Sequence, residues 1–185
     1  MANYSYNDYV RRYSDRFKRV LVDCSYYREI QKFVKELIRA KTQEFHHKID
    51  NDVEYKRHMT GFVGEAAVES YLGLKIIDWT IGNSDRYNIP DIEEYGVGIK
   101  TVEKGKYPVI FKKNEYPQII CVRDDKIPNL VFICGLATVD VLNKYQDDNL
   151  ILNPKLRRRG VKTGFYGFEY LKEINSVADL SEKAN

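Results

Sequence analysis

An aspartate that follows a proline, Pro90-Asp91, and a lysine nine positions on, in Gly98-Ile99-Lys100-Thr101, are residue types that can act together on a phosphate ester. A carboxylate can hold a hard divalent cation, and a neighbouring ammonium can orient a water and offset charge on a phosphodiester under attack. Glu65, upstream in Gly61-Phe62-Val63-Gly64-Glu65, offers a second oxygen ligand from a helix. The spacing is workable because Pro90 favours an extended segment, Glu94-Tyr95-Gly96 reads as a turn, and residues 97–102 alternate as a strand. Asp91 and Lys100 are then expected on adjacent strands of a β-hairpin. An Asp and a Lys at this spacing are common by chance. The order of helix glutamate, Ile-Pro-Asp and Gly-Ile-Lys-Thr is what points to metal-dependent phosphodiester chemistry.

In these residues the chain resembles the PD-(D/E)XK nucleases, the restriction-endonuclease-like superfamily, over roughly residues 57–175. The resemblance implies an α/β fold with a mixed central sheet flanked by helices, and catalytic roles for Glu65, Asp91 and Lys100. It also implies a Mg²⁺ or Mn²⁺ cofactor and a nucleic-acid substrate, DNA ahead of RNA. One position departs from the pattern: the acid expected two residues before the lysine is Gly98. Mg²⁺ commonly binds through one or two protein carboxylates, so Asp91 with Glu65 can suffice, and the carbonyl of Ile99 remains as a ligand whatever the side chains. Residues two apart share a strand face. Glu93 is therefore the stand-in ligand on the face of Asp91 if the strand continues that far, whereas Glu103 falls opposite Lys100. Gly98 leaves a second reading open, a nuclease fold that has lost a ligand and binds nucleic acid or a protein partner without cutting.

The elements that must position these groups begin with helices. Tyr26, Ile30, Phe33, Val34, Leu37, Ile38 and Phe45 recur at three- and four-residue spacing, which predicts an amphipathic helix over 25–47. Asn51-Asp52 can cap the next helix, whose stripe uses Met59, Phe62, Val63, Ala66, Ala67 and Tyr71 and which Gly73 should stop. Glu65 lies at the edge of that stripe, facing a half-buried cleft. Residues 74–79 read as a strand and 82–85 as a loop. Strands are expected over 97–103, 109–112, 119–123 and 130–134, the last two buried in a central sheet, then a helix over 138–145. The aromatic tail over 162–174 is ambiguous; the resemblance implies an extended segment there. The organisation is an N-terminal helical arm, 1–50, and a nuclease-like domain, 51–185.

At 185 residues the chain has room for one compact domain and no second large one. Its fifteen tyrosines are many, and packing in core and helices accounts for them more readily than base stacking. A net charge of +3 is too small to imply nucleic-acid binding by itself, so distribution matters more. Lys155, Arg157, Arg158, Arg159 and Lys162 form an acid-free run, and Lys104, Lys106, Lys112 and Lys113 follow the Lys100 strand. Among them Lys104, Lys106, Lys113, Arg157, Arg158, Arg159 and Lys162 are the candidate phosphate contacts, against a plain solvated surface. Cys24, Cys121 and Cys134 show no metal or disulfide spacing, and the latter two read as buried small hydrophobes. His46, His47 and His58 lack ligand spacing. No signal peptide and no apolar run of about 20 residues is visible, so a cytoplasmic protein without membrane contact is expected. The Tyr-rich segment 4–33 could form the interface of a homodimer.

Overall fold

The computed structural model describes residues 6–42, 51–81 and 89–181. The loop expected at 82–85, His46, His47 and the end of the helix predicted to reach residue 47 lie outside the described residues. Five helices and seven strands are named here: α1 (Tyr6–Arg11), β1 (Lys18–Leu21), α2 (Cys24–Thr42), α3 (Asn51–Leu72), β2 (Gly98–Glu103), β3 (Val109–Phe111), β4 (Gln118–Arg123), β5 (Leu130–Ala137), α4 (Val139–Lys144), β6 (Gln146–Asp147), α5 (Pro154–Arg158) and β7 (Lys162–Phe165). The result is the mixed α/β architecture read from the sequence, with a mixed sheet flanked by helices.

The main sheet has the order β1-β5-β4-β2, in which β2 and β4 are parallel and the other pairs antiparallel. Side-chain alternation gives it two buried faces. Ile119 and Cys121 of β4, with Val131 and Ile133 of β5, pack into a core against Ile30, Val34, Val63 and Ala67 of α2 and α3. Ile120 and Val122 point the other way, into a second core with Cys134, Leu142, Phe165 and Phe168. A bulge in β5 shifts the pairing between Ile120↔Gly135 and Cys121↔Ile133. Gly135 makes it possible: its φ of 139° suits glycine, and a Cβ there would meet the Lys172 carbonyl oxygen at 2.5 Å. A second, antiparallel sheet has the order β3-β7-β6.

α3 is buried on several sides, with Met59, Thr60, Val63, Gly64, Ala66, Ala67 and Val68 all withdrawn from solvent. It is thus a central helix rather than one with a single apolar stripe. It ends where predicted: Gly73 takes φ 70°, and the Gly73 and Leu74 amides both donate to the Glu69 carbonyl. Thr138 caps α4 by accepting from the Val141 amide.

Two expectations change, and the ambiguous tail takes a definite form. Residues 74–79 form no strand; instead the Glu69 carboxylate accepts from the Ile76 and Ile77 amides, at 2.5 and 2.8 Å, and from the Tyr26 hydroxyl. A side chain thus supplies the acceptors that a neighbouring strand would have supplied. The segment expected as a helical arm also carries β1, which pairs with β5 in the main sheet, while α2 packs on α3. The tail contributes β7 and, at Lys172, a two-way backbone pairing with Leu136. Among the described residues no helix is long and apolar enough to cross a membrane.

Candidate active site

Asp91 is set by a very short hairpin. Ile92 and Val97 form an antiparallel bridge, a 3₁₀ turn spans Glu93–Tyr95, and Gly96 closes it in the left-handed region at φ 63°. One step before that bridge, the Asp91 carboxylate accepts a 2.5 Å hydrogen bond from the Ile99 amide of β2. The hairpin places Asp91 beside the strand that carries Lys100, although pairing outside β2 is a single bridge. The extended segment ends at Ile92, so the condition for Glu93 as a stand-in ligand is not met: Glu93 begins the turn and is exposed.

β2 turns its two faces to different neighbours. Thr101 meets α3, where a Cβ on Gly64 would fall 1.7 Å from the Thr101 hydroxyl oxygen. Glu103, on the same face, pairs with Lys56 at 3.0 Å and Lys106 at 2.6 Å, as its parity predicted. Gly98 and Lys100 border a cleft of about 250 Å³ between β2 and the second sheet, together with Asp91, Tyr116, Gln118 and Lys162. Phe111 forms part of the wall, and the Lys162 ammonium lies 5.1 Å from the centre of its ring. Ile99 borders the cleft as well, while its side chain packs with the α3 core, so its contribution there is main chain.

Glu65 does not line this cleft; it is carried by α3, which packs on β2, near enough for the Asp91 charge to act on it. Burial pushes its carboxyl up to about 8, and the charges of Asp91 and Glu69 add to the effect. Asp91 is raised by desolvation, an effect opposed by the Ile99 amide and by Lys100. Lys100 is lowered to about 8, first by desolvation and then by Lys162, with Asp91 acting the other way and Arg57 adding to the depression. Lys162 is itself lowered by burial and by Arg57 and Arg159. One acid, Asp91, and two desolvated amines therefore meet at one opening, within the field of two arginines, while Glu65 acts on Asp91 from outside it. Perturbation of several groups at once is a mark of functional sites.

The basic residues sort differently from their sequence clusters. Lys162 and Arg159 belong to the cleft's field. Lys104 reaches Asp124 at 3.6 Å and Asp125 at 3.4 Å, Lys106 reaches Glu103, and Lys112 pairs with Asp148 at 2.6 Å. Arg157 donates to the Ile151 carbonyl at 2.6 Å, which ties α5 to the preceding turn. Arg158 and Lys113 are exposed. His58 stands 3.4 Å from Glu54 and against the Phe62 ring. Cys121 and Cys134 are buried, and burial holds both thiols protonated. Sequence reasoning missed Arg57, Phe111, Tyr116 and Gln118. No local pattern marks them, because separate elements bring them to the cleft.

The oxygen donors are few and hard: two carboxylates and a backbone carbonyl. Among the described residues no group of three or more His, Cys, Asp or Glu side chains converges as a metal cage. A carboxylate pair with a buried, charge-opposed member suits Mg²⁺ or Mn²⁺, which leaves positions for water and substrate phosphate, and does not suit a nitrogen- and sulfur-ligated zinc. Compared with family models, curated proteins and solved structures, the chain matches none of them.

Proposed function

We propose that this protein is a metal-dependent nuclease of the PD-(D/E)XK type that hydrolyses phosphodiester bonds in nucleic acid, DNA in the first place. One observation carries the reading: Asp91 and Lys100 open into the same cleft as Lys162, with Glu65 on the neighbouring helix near enough for the Asp91 charge to raise its pKa. Asp91, oriented by the Ile99 amide, and Glu65, once it has lost its proton, are the residues that would hold Mg²⁺ or Mn²⁺, with the Ile99 carbonyl as a neutral donor. Such an ion, when bound, lowers the pKa of a coordinated water and offsets phosphate charge. Lys162 and the nearby guanidinium groups of Arg57 and Arg159 attract the phosphate backbone.

Lys100 is suited to both forms of its task because its pKa near 8 leaves a large neutral fraction at mildly alkaline pH. Neutral Lys100 accepts a proton from the attacking water. The water oxygen bonds to phosphorus, the ester P–O bond breaks, and the departing alkoxide takes a proton from solvent. The charged lysine then faces the new phosphomonoester and loses its proton before the next turnover.

A second reading rests on Gly98, which supplies no ligand: a binding module on the same scaffold. Plasmid, linear duplex, single-stranded and branched DNA, and RNA, incubated in Mg²⁺, Mn²⁺ or EDTA, separate the two. The nuclease cuts at least one substrate, only with metal, and Asp91→Ala and Lys100→Ala abolish cutting. Salt-sensitive binding without cleavage in either metal would favour the module.

A further inference from the structure

Gly98 stands where the resemblance places an acid, and the space beside it is filled by the segment that leads into the neighbouring strand. A Cβ there would lie 2.8 Å from Tyr116 Cε2, 3.4 Å from Cδ2 and 3.5 Å from Gln118 Cγ. The tyrosine ring occupies the volume that an acidic side chain at position 98 would have to cross. This placement is imposed by the backbone. The parallel register pairs Gly98 with Gln118, and the Gly98 amide donates to the Pro117 carbonyl at 2.9 Å, so Tyr116, two residues before Gln118, leads into β4 with its ring against the glycine.

Tyr116 borders the cleft with Asp91, Lys100 and Lys162 and is half-buried. Among the described residues nothing hydrogen-bonds to its hydroxyl. Desolvation, then the charges of Asp91 and Glu115, raises the phenol's pKa and keeps it in the donating form. A donor that is spare, protonated and beside two amines that would hold a phosphate has one obvious partner, a phosphate oxygen. A carboxylate at residue 98 would instead present only acceptors to the same group.

We infer that Tyr116 is a substrate-contacting residue of this site: its hydroxyl donates a hydrogen bond to the phosphate held at Asp91 and Lys100, and Gly98 is the room made for its ring. The inference rests on the phosphodiester reading of the cleft. It turns the missing acid and the tyrosine into one arrangement, in which a metal ligand has been exchanged for a phosphate donor.

The test is single-turnover cleavage of a labelled DNA duplex and a labelled single strand in Mg²⁺, with dissociation constants for the same DNAs in Ca²⁺. The proteins are wild type, Asp91→Ala, Tyr116→Phe, Gly98→Ala and the Gly98→Ala/Tyr116→Phe double variant. Tyr116→Phe keeps the ring and its packing, so a purely structural role predicts the wild-type rate. Loss of a hydrogen bond to a charged group should slow cleavage about 10- to 100-fold. Binding in Ca²⁺ should change less than about threefold, since the contact matters most as charge develops on the phosphate. Gly98→Ala, which pushes the ring aside, should slow cleavage similarly and add little in the Phe background. Wild-type cutting with an undiminished Tyr116→Phe rate overturns the role of Tyr116 and leaves the nuclease intact. Wild type that, like Asp91→Ala, cuts neither of these DNAs nor the plasmid, branched DNA and RNA above overturns both.

Discussion

Gly64 of α3 and Thr101 of β2 are in such close apposition that a Cβ on the glycine would sit 1.7 Å from the threonine hydroxyl oxygen and 2.6 Å from its Cβ. No rotation of the threonine relieves the second contact. The glycine is what allows the helix turn bearing Glu65 to lie directly on the strand bearing Lys100, so the two halves of the site are held by one backbone approach.

Gly64→Ala should therefore cost about 1–3 kcal/mol, the range for overpacking a tight core, as read by urea denaturation. Thr101→Ala, which removes the hydroxyl and methyl, should recover part of that loss in the double variant, a non-additivity that direct contact requires. Additive losses would mean that the two residues do not bear on each other.

Glu65 makes stability depend on pH in a defined sense. Its carboxyl is raised from 4.5 to about 8 in the fold, so between those values the folded state holds a proton that the unfolded chain has lost. Stability from this group is complete below about pH 4.5 and is lost as pH rises through 8. Glu65→Gln, which stays neutral, should match wild type near pH 4.5 and exceed it by roughly 2–4 kcal/mol near pH 8. Mg²⁺ at pH 8 should raise the wild-type Tm and leave that of Glu65→Gln nearly unmoved. Lys100, lowered from 10.5 to about 8, acts in the opposite sense above pH 8, which is why the comparison belongs at or below that value.

Glu69 holds the 74–79 segment through the Ile76 and Ile77 amides and the Tyr26 hydroxyl. Glu69→Ala leaves those donors without their acceptor and should cost about 2–4 kcal/mol, whereas Glu69→Gln, which keeps a carbonyl oxygen for the amides, should cost less than half as much. Hydrogen exchange at Ile76 and Ile77 should quicken in the alanine variant. Unchanged exchange there would show that the segment is held by packing alone.

Salt dependence separates the cleft cations from those paired elsewhere. Lys162→Ala should weaken DNA binding and lower the slope of log K against log salt by about 1. Lys104→Ala and Lys106→Ala should leave the slope unchanged, because those ammonium groups already face Asp124, Asp125 and Glu103. Fluorescence anisotropy over a salt series, in EDTA, reads both.

Much of the frame was legible because it follows from local rules. The apolar runs over 119–123 and 130–134 pointed to β4 and β5, Gly73 to the end of α3, and the helix read over 138–145 is α4. What escaped depended on distant partners. β1, Lys-Arg-Val-Leu, is a four-residue edge strand whose half-polar pattern carries little signal, and it exists because β5 offers it an edge. Residues 74–79 have strand composition, but their amides are claimed by Glu69. At the candidate site, motif order singled out Asp91 and Lys100, which the fold brings to one cleft, and Glu65, which it leaves outside the lining. Tyr116 could not be read that way, since it comes to Gly98 only through the segment that leads into β4, whose pairing with β2 is a long-range contact.

Asp91 and Lys100 are proposed to form one metal-dependent hydrolytic site. Its most direct test is cleavage of a nucleic-acid substrate by wild type, Asp91→Asn and Lys100→Met, in Mg²⁺ and in EDTA, followed from pH 6 to 9. Wild type should cut in Mg²⁺ at a rate that rises with pH towards about 8, as Lys100 and Glu65 lose their protons, and both variants should lose at least about 100-fold. Cleavage that persists in Asp91→Asn and Lys100→Met, or wild type that binds nucleic acid in Mg²⁺ and never cuts it, would contradict it.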